Sequence, residues 1–473
     1  MTRAAEQLVR RVWADLGRDT AELGALDGLP EVPLPARLDV SGLAAGAVAA
    51  ASLAASCAVG GGDGVGGAGE AGGARRRAPR RVRLNGERIA TAFTSERWFR
   101  RDGRAPDVWA PLSGFRRAAD GWVRVHGNYP HHAAAARRGL GLSAEADVDA
   151  VDAAIARRTA RDVEDMITSA GGVCAAVRGE DADQDLQLRN TPLIDLTGPA
   201  SDAAPRARPN AGADRLARPL AGVRVLDLTR VIAGPVGTRA LAGLGAEVLR
   251  IDSPHLAEPE WQHFDTGAGK RSALLDLRAP TDRRRFDELL ERAHVIVLGY
   301  RPSALDALGL GADALAARRP GLMIGQLAAW GYDAHAAERR GFDSIVQAAC
   351  GIGTAEGDGE RPGALPAQAL DHATGYLLAT AVISMLEGGG RGGRIARLSL
   401  RRTAAELLGM PRTELPTPRR ALSEDDAEAH VETFAVSGER VRVVAPALAY
   451  DGALDRWPAG PEGWGAAEPR WAE

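Results

Sequence analysis

Two aspartates stand at the start of long uncharged segments, where a carboxylate can do chemistry. Asp371 precedes HATGYLLATAVISML, and Asp39 precedes VSGLAAGAVAAASLAASCAVGGG. A carboxylate at such a place can accept hydrogen bonds from the free N–H groups of a helix's first turn. It can also act as a nucleophile that forms a covalent intermediate. On residue types alone, capping is the more common role, and nucleophilic catalysis remains the alternative.

The cations and thiols indicate a narrower set of sites. The chain contains one lysine, Lys270, and Arg271 follows it directly. Neighbouring cations can pair with phosphate oxygens, although a solvated surface pair is the plain alternative. The three cysteines lie far apart, without metal-ligand spacing or a disulfide framework, and this favours a reducing cytoplasm and no metal site.

An alternation of strands and helices is expected to position these groups. Strands that alternate with helices are typical of a parallel sheet, whose ligands bind at the carboxyl ends of the strands. The expected strands are 223–228, 246–251 and 294–300, and the expected helices are 236–243 and 283–293. The rule therefore predicts a ligand site formed by 229–235, 252–254 and 299–303.

This sheet lacks the sequence of a dinucleotide site. Residues 229–245 read TRVIAGPVGTRALAGLG, without the G-x-G-x-x-G spacing directly after the strand. Pro235 instead suits the first turn of a helix, where its missing N–H costs nothing. Asp252 alone is compatible with a helix cap or a solvated carboxylate. A nicotinamide or flavin site is thus disfavoured.

The N-terminal half has a different pattern. Helices are expected at 6–16 and 148–170, and strands at 80–86 and 119–127. Three segments have the composition of connectors, namely 60–81, 201–219 and 388–393.

A faint internal repeat links the halves. Residues 38–53 resemble 370–386, and residues 81–93 resemble 395–407, which indicates two copies of a helix–strand–helix unit. The first copy includes an uncharged stretch, Val40 to Gly62, long enough to cross a bilayer. Its Ala, Gly and Ser content favours a buried helix instead.

Composition sets the class of protein. The 473 residues are 45% apolar and 26% charged, as in a soluble globular protein of two to four domains. The net charge of −3 argues against a nucleic-acid partner. The first 20 residues carry charges throughout and lack a signal peptide's apolar region. We expect a cytoplasmic protein with no membrane association.

At this point a family resemblance becomes specific. The segment PLAGVRVLDLTRVIAGPVGTRALAGLGAEVLRIDSP (219–254) resembles the opening of the class III CoA-transferases, a family that includes formyl-CoA and carnitine CoA-transferases and alpha-methylacyl-CoA racemases. The similarity continues in order through 267–280, 294–331, 339–352 and 369–386, and Lys270 falls in the family's Lys-Arg-Ser segment.

The resemblance implies covalent catalysis by Asp371. The family's aspartate attacks a thioester carbonyl and forms a mixed anhydride, with CoA thiolate as the leaving group. The CoA then passes to a second acid through an enzyme-bound thioester. The implied substrates are an acyl-CoA and a carboxylic acid acceptor, with no permanently bound cofactor. Asp39 is not preceded by the nucleotide-fold segments, which disfavours it as a nucleophile.

The resemblance also assigns residues to CoA. The family often carries basic residues near Ser253 and Ala307, which are uncharged here, so that Arg250 or Arg301 would have to compensate. The residues expected to bind CoA are Val231, Ile232, Ala233, Arg250, Lys270, Arg271, Gly299, Tyr300, Arg301 and Ala304.

The order of the segments departs from the family. Residues 120–142 and 160–178 resemble the start and end of its small domain, yet they precede the large domain here. The expected fold is α/β, with a Rossmann-like parallel-sheet large domain and a smaller α+β domain. The expected organisation is an N-terminal half at 1–200 with an Asp-helix unit (38–93) and a small-domain-like segment (105–185), a linker (201–218), the large domain (219–410) and a C-terminal segment (411–473).

Three functions stay open. A CoA-transferase is favoured, and the family's interlocked dimers imply a homodimer. A catalytically silent CoA-binding or interaction protein is the first alternative. An acyl-CoA racemase or isomerase is the second, but the racemase branch needs a His where Phe342 stands in Gly341-Phe342-Asp343. His372 adjoins Asp371 and is expected to be a surface residue.

Overall fold

The computed structural model describes residues 3–60, 78–198, 216–388, 394–412 and 420–472. The α-helices are α1 Arg3–Asp15, α2 Val40–Gly60, α3 Gly86–Phe93, α4 Ser95–Trp98, α5 Pro130–Gly139, α6 Val148–Ala156, α7 Ala160–Ser169, α8 Ala182–Arg189, α9 Ala233–Gly243, α10 Glu260–Asp265, α11 Pro280–Arg292, α12 Pro302–Asp306, α13 Ala312–Arg318, α14 Ala334–Glu338, α15 Asp343–Ala349, α16 Ile352–Ala355, α17 Ala369–Leu386, α18 Leu400–Leu408 and α19 Glu424–Glu428. The strands are β1 Arg100–Arg101, β2 Gly114–Arg117, β3 Trp122–Val125, β4 Cys174–Ala176, β5 Asp195–Thr197, β6 Arg224–Leu228, β7 Glu247–Asp252, β8 Lys270–Leu274, β9 Val295–Leu298, β10 Met323–Ala328, β11 Ile395–Ser399, β12 Val431–Val436 and β13 Glu439–Val444.

A seven-stranded sheet forms the centre of the fold, in the order β5-β11-β10-β9-β6-β7-β8. All neighbouring strands are parallel except β5, which pairs antiparallel with β11 at the edge. Both faces of the sheet are covered, as parallel sheets require. Along β6, Val225 faces a core that contains α9 and α17, whereas Leu226 faces α11 and α13 on the other side. This confirms the expected α/β fold with a parallel-sheet large domain.

The long helix α17 lies in the middle of the larger core. It packs against α2 and α9, and glycines permit the close approach to α9. A Cβ on Gly375 would lie 2.4 Å from the carbonyl oxygen of Ala233, and one on Gly237 would lie 2.8 Å from that of Gly375. The backbone of α17 is therefore held directly against the start of α9.

Two helices, Val40–Val59 and Ala369–Leu386, are long and apolar enough to span a membrane by length and composition alone. Each is entirely buried inside the fold, as core helices of this composition often are. The prediction of a buried Ala-rich helix after Asp39 is confirmed. Both helices belong to the proposed internal repeat, and they pack on one another.

A small α+β unit lies beside the large sheet. Strands β2, β3 and β4 form an antiparallel sheet, and its core includes residues of α5, α6 and α7. A third sheet, β1-β13-β12, joins the N-terminal half to the C-terminal segment. Strand β5, also from the N-terminal half, pairs with β11 at the edge of the large sheet. The N-terminal half therefore contributes strands to a sheet with the large domain and to a sheet with the C-terminal segment.

Most expected elements are present, with two corrections. The expected strand at 80–86 is a single bridge between Val82 and Leu26, because Asn85 caps the helix that begins at Gly86. The expected helix 148–170 is two helices, since Thr159 caps a second one at Ala160. Most of the connectors expected at 60–81, 201–219 and 388–393 lie outside the described residues.

Candidate functional site

A cavity of about 820 Å³ opens at the carboxyl edge of the large sheet. Its wall contains Arg230 and Val231 after β6, Asp252 at the end of β7, and Gly299 to Pro302 after β9. The cavity therefore lies at the edge of the sheet where the strand pattern predicts a ligand site. The volume lies in the usual range for small-molecule sites.

Asp371 lies in the wall of this cavity. It is the third residue of α17, whose cap position is occupied by Gln368 without a side-chain hydrogen bond. Asp371 therefore does not cap its own helix. The residue is 5% exposed, and no donor among the described residues holds its carboxyl oxygens. The carboxyl group is thus available to a ligand.

The surroundings of Asp371 favour its neutral form. Burial raises its pKa well above the usual range, and the nearby carboxylate of Asp343 raises it further. Asp343 is itself buried, which raises its pKa to about 6. Oδ2 of Asp343 accepts a hydrogen bond from the backbone N–H of Asp371 at 2.9 Å.

The loop after β6 has a constrained backbone. Val231 adopts a φ of 71°, which is unfavourable for a β-branched residue. Its N–H donates to Oε1 of Glu258 at 2.6 Å, and Arg250 forms an ion pair with the other oxygen of that carboxylate. The loop then continues into α9, capped at Ile232.

Six of the predicted CoA-binding residues line the cavity: Val231, Ala233, Gly299, Tyr300, Arg301 and Ala304. The absence of a side chain at Gly299 fits its position, since a Cβ there would lie 3.0 Å from Cβ of Thr229. Ile232 is not part of the cavity wall and accepts the N–H of Val236 through its carbonyl.

Lys270 lies away from the cavity, and its expected role as a phosphate partner is not supported. Its ammonium group donates to Oδ2 of Asp227 at 3.1 Å, to the carbonyl of Pro235 at 2.8 Å and to the hydroxyl of Thr238 at 2.6 Å. The side chain is buried, and burial lowers its pKa to about 8. Lys270 thereby joins β8 and β6 to the start of α9.

Two of the other three predicted cations, Arg250 and Arg271, are likewise outside the wall, whereas Arg301 lines it. Arg250 is buried between Asp252 and Glu258, with Nε 2.7 Å from Oδ2 of Asp252. Arg271 donates to the carbonyl of Arg470 at 2.7 Å and lies 3.5 Å from Glu247. Of the two residues expected to compensate for the uncharged Ser253 and Ala307, Arg250 is engaged by Asp252 and Glu258, whereas Arg301 lies in the cavity wall.

Several cavity residues were missed by the sequence reasoning. Cationic or imidazole side chains from the large domain line the wall, namely Arg230, His255, Arg278, Arg339 and Arg340. Arg278 follows the end of β8, so the carboxyl-edge rule would have found it had that strand been recognised.

The N-terminal half also contributes to the wall through Tyr129, His131 and His132. The segment HGNYPHH offers clustered histidines, but no spacing rule assigned them to this cavity. His126 stacks flat on Phe342, with ring centroids 3.7 Å apart, and His132 meets Phe342 edge-on at 5.7 Å. Burial lowers the pKa of His132 to about 3, so its imidazole is neutral near pH 7.

The structure also shows where His372 and Asp39 lie. His372 is 1% exposed and stacks on Phe93 at 5.1 Å, so the prediction of a surface histidine is wrong. Asp39 accepts the N–H of Gly42 at 2.9 Å and caps α2, and it does not line the cavity. Within the described ranges, no group of three His, Cys, Asp or Glu residues could hold a metal ion.

Comparisons with known proteins each match a part of the chain. Residues 220–448 match the family model described as CoA-transferase family III. An acyl-CoA transferase of Gibberella moniliformis is 30% identical over 325 residues, covering 63% of this chain and 57% of that protein. The probable fatty acyl-CoA transferase Rv3272 of Mycobacterium tuberculosis is 34% identical, covering 36% of this chain and 47% of that protein.

Another relative and a solved structure each match a third or more of this chain. Mouse succinyl-CoA:glutarate CoA-transferase is 32% identical, covering 33% of this chain and 39% of that protein. The crystal structure of Rv3272 superposes with a TM-score of 0.37 at 31% identity, covering 40% of this chain and 56% of that one. The chain thus spans about half the length of the first curated relatives it matches.

Proposed function

We propose that this chain, whose residues 220–448 match the family model described as CoA-transferase family III, is a class III CoA-transferase that transfers CoA between carboxylic acids with Asp371 as the nucleophile. The observation that carries the proposal is the carboxyl group of Asp371, to which no described residue donates, in the wall of a cavity at the carboxyl edge of a parallel sheet. Relatives named as acyl-CoA and succinyl-CoA transferases support the general reaction.

The proposed chemistry begins with acylation. The carboxylate of Asp371 attacks the thioester carbonyl, the C–S bond breaks, and the CoA thiolate leaves as the aspartyl-acyl anhydride forms. The thiolate then attacks the aspartyl carbonyl, which releases the first acid as a carboxylate and leaves CoA bound to Asp371 as a thioester. A carboxylate suits this role because it is both a nucleophile and a leaving group.

The second half runs in reverse with the acceptor. The acceptor carboxylate attacks the aspartyl thioester, forms a new anhydride and frees the thiolate. Attack of the thiolate on the acceptor's carbonyl gives the new acyl-CoA and restores Asp371. Every step exchanges one acyl bond for another, so no redox partner is required.

The cavity offers features suited to CoA. Arg278, Arg301 and Arg340 line its wall with positive charge, which pairs with phosphate oxygens. Val231, Ala233 and Tyr300 provide an apolar and aromatic surface along the sheet edge. We place the nucleotide and pantetheine of CoA along this wall, with the thioester directed toward Asp371.

The test is a transfer assay with a matched variant. The protein is incubated with an acyl-CoA and a panel of carboxylic acids, and new acyl-CoA species are separated by chromatography and identified by mass spectrometry. Wild-type protein should form them, and Asp371→Asn should not, while both bind CoA with similar affinity. An Asp371→Asn protein with undiminished transfer would overturn the proposal.

A second candidate is a CoA-binding protein without transfer activity. It is favoured by the position of three predicted cations, Arg250, Lys270 and Arg271, outside the cavity wall. In that case CoA would bind, yet neither product nor covalent adduct would form with any acid.

A further inference from the structure

A carboxylate from another helix holds the first turn of the catalytic helix. Asp343 is the first residue of α15 and is 1% exposed. Its Oδ2 accepts the backbone N–H of Asp371 at 2.9 Å. That N–H lies in the first turn of α17 and has no partner within its own helix. Asp343 therefore supplies the cap that Gln368 does not provide.

The orientation of Asp343 is fixed by its own neighbour. Oε1 of Gln347 accepts the N–H of Leu365 at 3.0 Å, so the amide nitrogen must point the other way. That nitrogen donates to Oδ1 of Asp343. Both oxygens of Asp343 are thus engaged, one with α15 and one with Asp371.

The charge of Asp343 also acts on Asp371. Among the described groups, Asp343 is the one charged neighbour that shifts the pKa of Asp371, and it shifts it upward in the same direction as burial. From the small sheet, Arg124 favours the ionised form of Asp343. Arg239 of α9 acts on the adjacent His372, which burial keeps neutral.

Phe342 connects this pair to the cavity. It lines the wall, stacks on His126 and directly precedes Asp343. The consecutive residues Phe342 and Asp343 therefore contact the small sheet, the cavity and Asp371. Of the two, Asp343 is the one that can carry a charge.

Building on the proposed transferase function, we infer that Asp343 is a positioning residue that fixes the backbone of Asp371 and controls the protonation of its side chain through its own negative charge. Two buried carboxylates in one site do not ionise together readily. The nucleophile thus stays protonated to a higher pH than a lone aspartate would. Removing the charge of Asp343 should allow the carboxyl group of Asp371 to ionise at lower pH.

Two variants separate charge from position. Asp343→Asn keeps an oxygen acceptor for the Asp371 N–H, removes the charge and gives up the hydrogen bond from the Gln347 amide nitrogen. In the pH profile of its rate of covalent acylation by acyl-CoA, the acidic limb should shift by roughly one pH unit toward lower pH. Its Kd for CoA should be unchanged. Asp343→Glu keeps the charge and displaces the oxygen, so its rate should fall at all pH values while the acidic limb stays at the wild-type position.

The readouts distinguish this inference from the proposed function. Acylation is followed by mass spectrometry of the intact, full-length protein across pH, and folding is checked by thermal unfolding. No acylation of the wild type at any pH would contradict the proposed function. An acylated wild type whose pH profile coincides with that of a folded Asp343→Asn protein would overturn the role of Asp343. If Asp343→Asn does not fold, coincident pH profiles of the wild type and Gln347→Leu, which removes the amide contact, would overturn that role equally.

Discussion

The backbone N–H of Val231 donates to Oε1 of Glu258 at 2.6 Å while Val231 holds a φ of 71°. A β-branched residue in this region carries strain of about 1–3 kcal/mol. The buried carboxylate of Glu258, paired with Arg250, holds the loop in this conformation beside the cavity. The strain is therefore located where the proposed CoA site requires a fixed backbone.

Replacing Val231 with glycine should relieve this strain and loosen the loop. We expect the free energy of unfolding to rise by about 1 kcal/mol, since glycine adopts positive φ without penalty. The Kd for CoA should increase because the loop is less preorganised. Urea unfolding and calorimetric titration with CoA measure the two effects. Val231→Ala retains the strain and serves as the control, and a Val231→Gly protein less stable than that control would contradict the account.

Lys270 is expected to stabilise the fold and not to bind phosphate. Lys270→Met leaves Asp227 buried without its cation, and breaking such a pair costs about 3–5 kcal/mol. Chemical unfolding should show this loss. Arg271→Met, which removes the neighbouring, partly exposed cation, should change the free energy of unfolding by less than about 1 kcal/mol. Normal stability of Lys270→Met together with lost CoA affinity would restore the phosphate role.

His372 should destabilise the protein in acid. Burial lowers its pKa to about 3, below the value of about 6.5 in an unfolded chain. The unfolded state therefore binds a proton that the folded state refuses, so stability falls as pH decreases from 6.5 toward 3, by up to about 1.4 kcal/mol per pH unit. Neither ring nitrogen has a hydrogen-bond partner among the described residues.

His372→Phe tests this account. The phenyl ring keeps the stacking on Phe93 and removes the two unsatisfied nitrogens. We expect a gain of about 1–2 kcal/mol at pH 7 and a larger gain at pH 5. Unfolding measured at both pH values provides the comparison. An equal effect at the two pH values would show that His372 does not titrate on unfolding.

The arginines in the cavity wall should contribute to CoA affinity through its phosphates. Arg278→Gln and Arg340→Gln should each raise the Kd for CoA by about tenfold, and the effect should weaken at high salt. Arg271→Gln is the matched control, because Arg271 contacts Arg470 and Glu247 outside the wall. Titration of CoA at low and high salt measures the difference. A Kd changed only in the Arg271 variant would refute this placement of the phosphates.

The sheet and its ligand edge could be predicted from the sequence, whereas the partners of individual cations could not. Strands such as 224–228 are apolar runs bounded by turns, so periodicity finds them. Lys270 and Arg250 lie on neighbouring strands, and their side chains point into the protein. The sequence pattern does not reveal this direction, because both faces of a buried parallel strand are apolar. The distant Asp227 and Glu258 that bind them are known only from the fold.

The same limit applies to the groups around Asp371. The motif predicts the aspartate and its helix, but Asp343 reaches it from 28 positions earlier in the chain. His132 and Tyr129 come from the N-terminal half, and their place in the wall depends on how the small sheet packs. The burial of His372 follows from α3, where Phe93 covers it.

The most direct test of nucleophilic Asp371 is the transfer of oxygen from the acceptor acid. The protein is incubated with an acyl-CoA and a carboxylic acid whose carboxyl oxygens are both heavy isotopes, and the peptide containing Asp371 is then analysed by mass spectrometry. Transfer through the anhydride leaves one acceptor oxygen on the aspartate, so heavy oxygen should accumulate on Asp371. Formation of labelled acyl-CoA with no heavy oxygen on Asp371 would contradict the account.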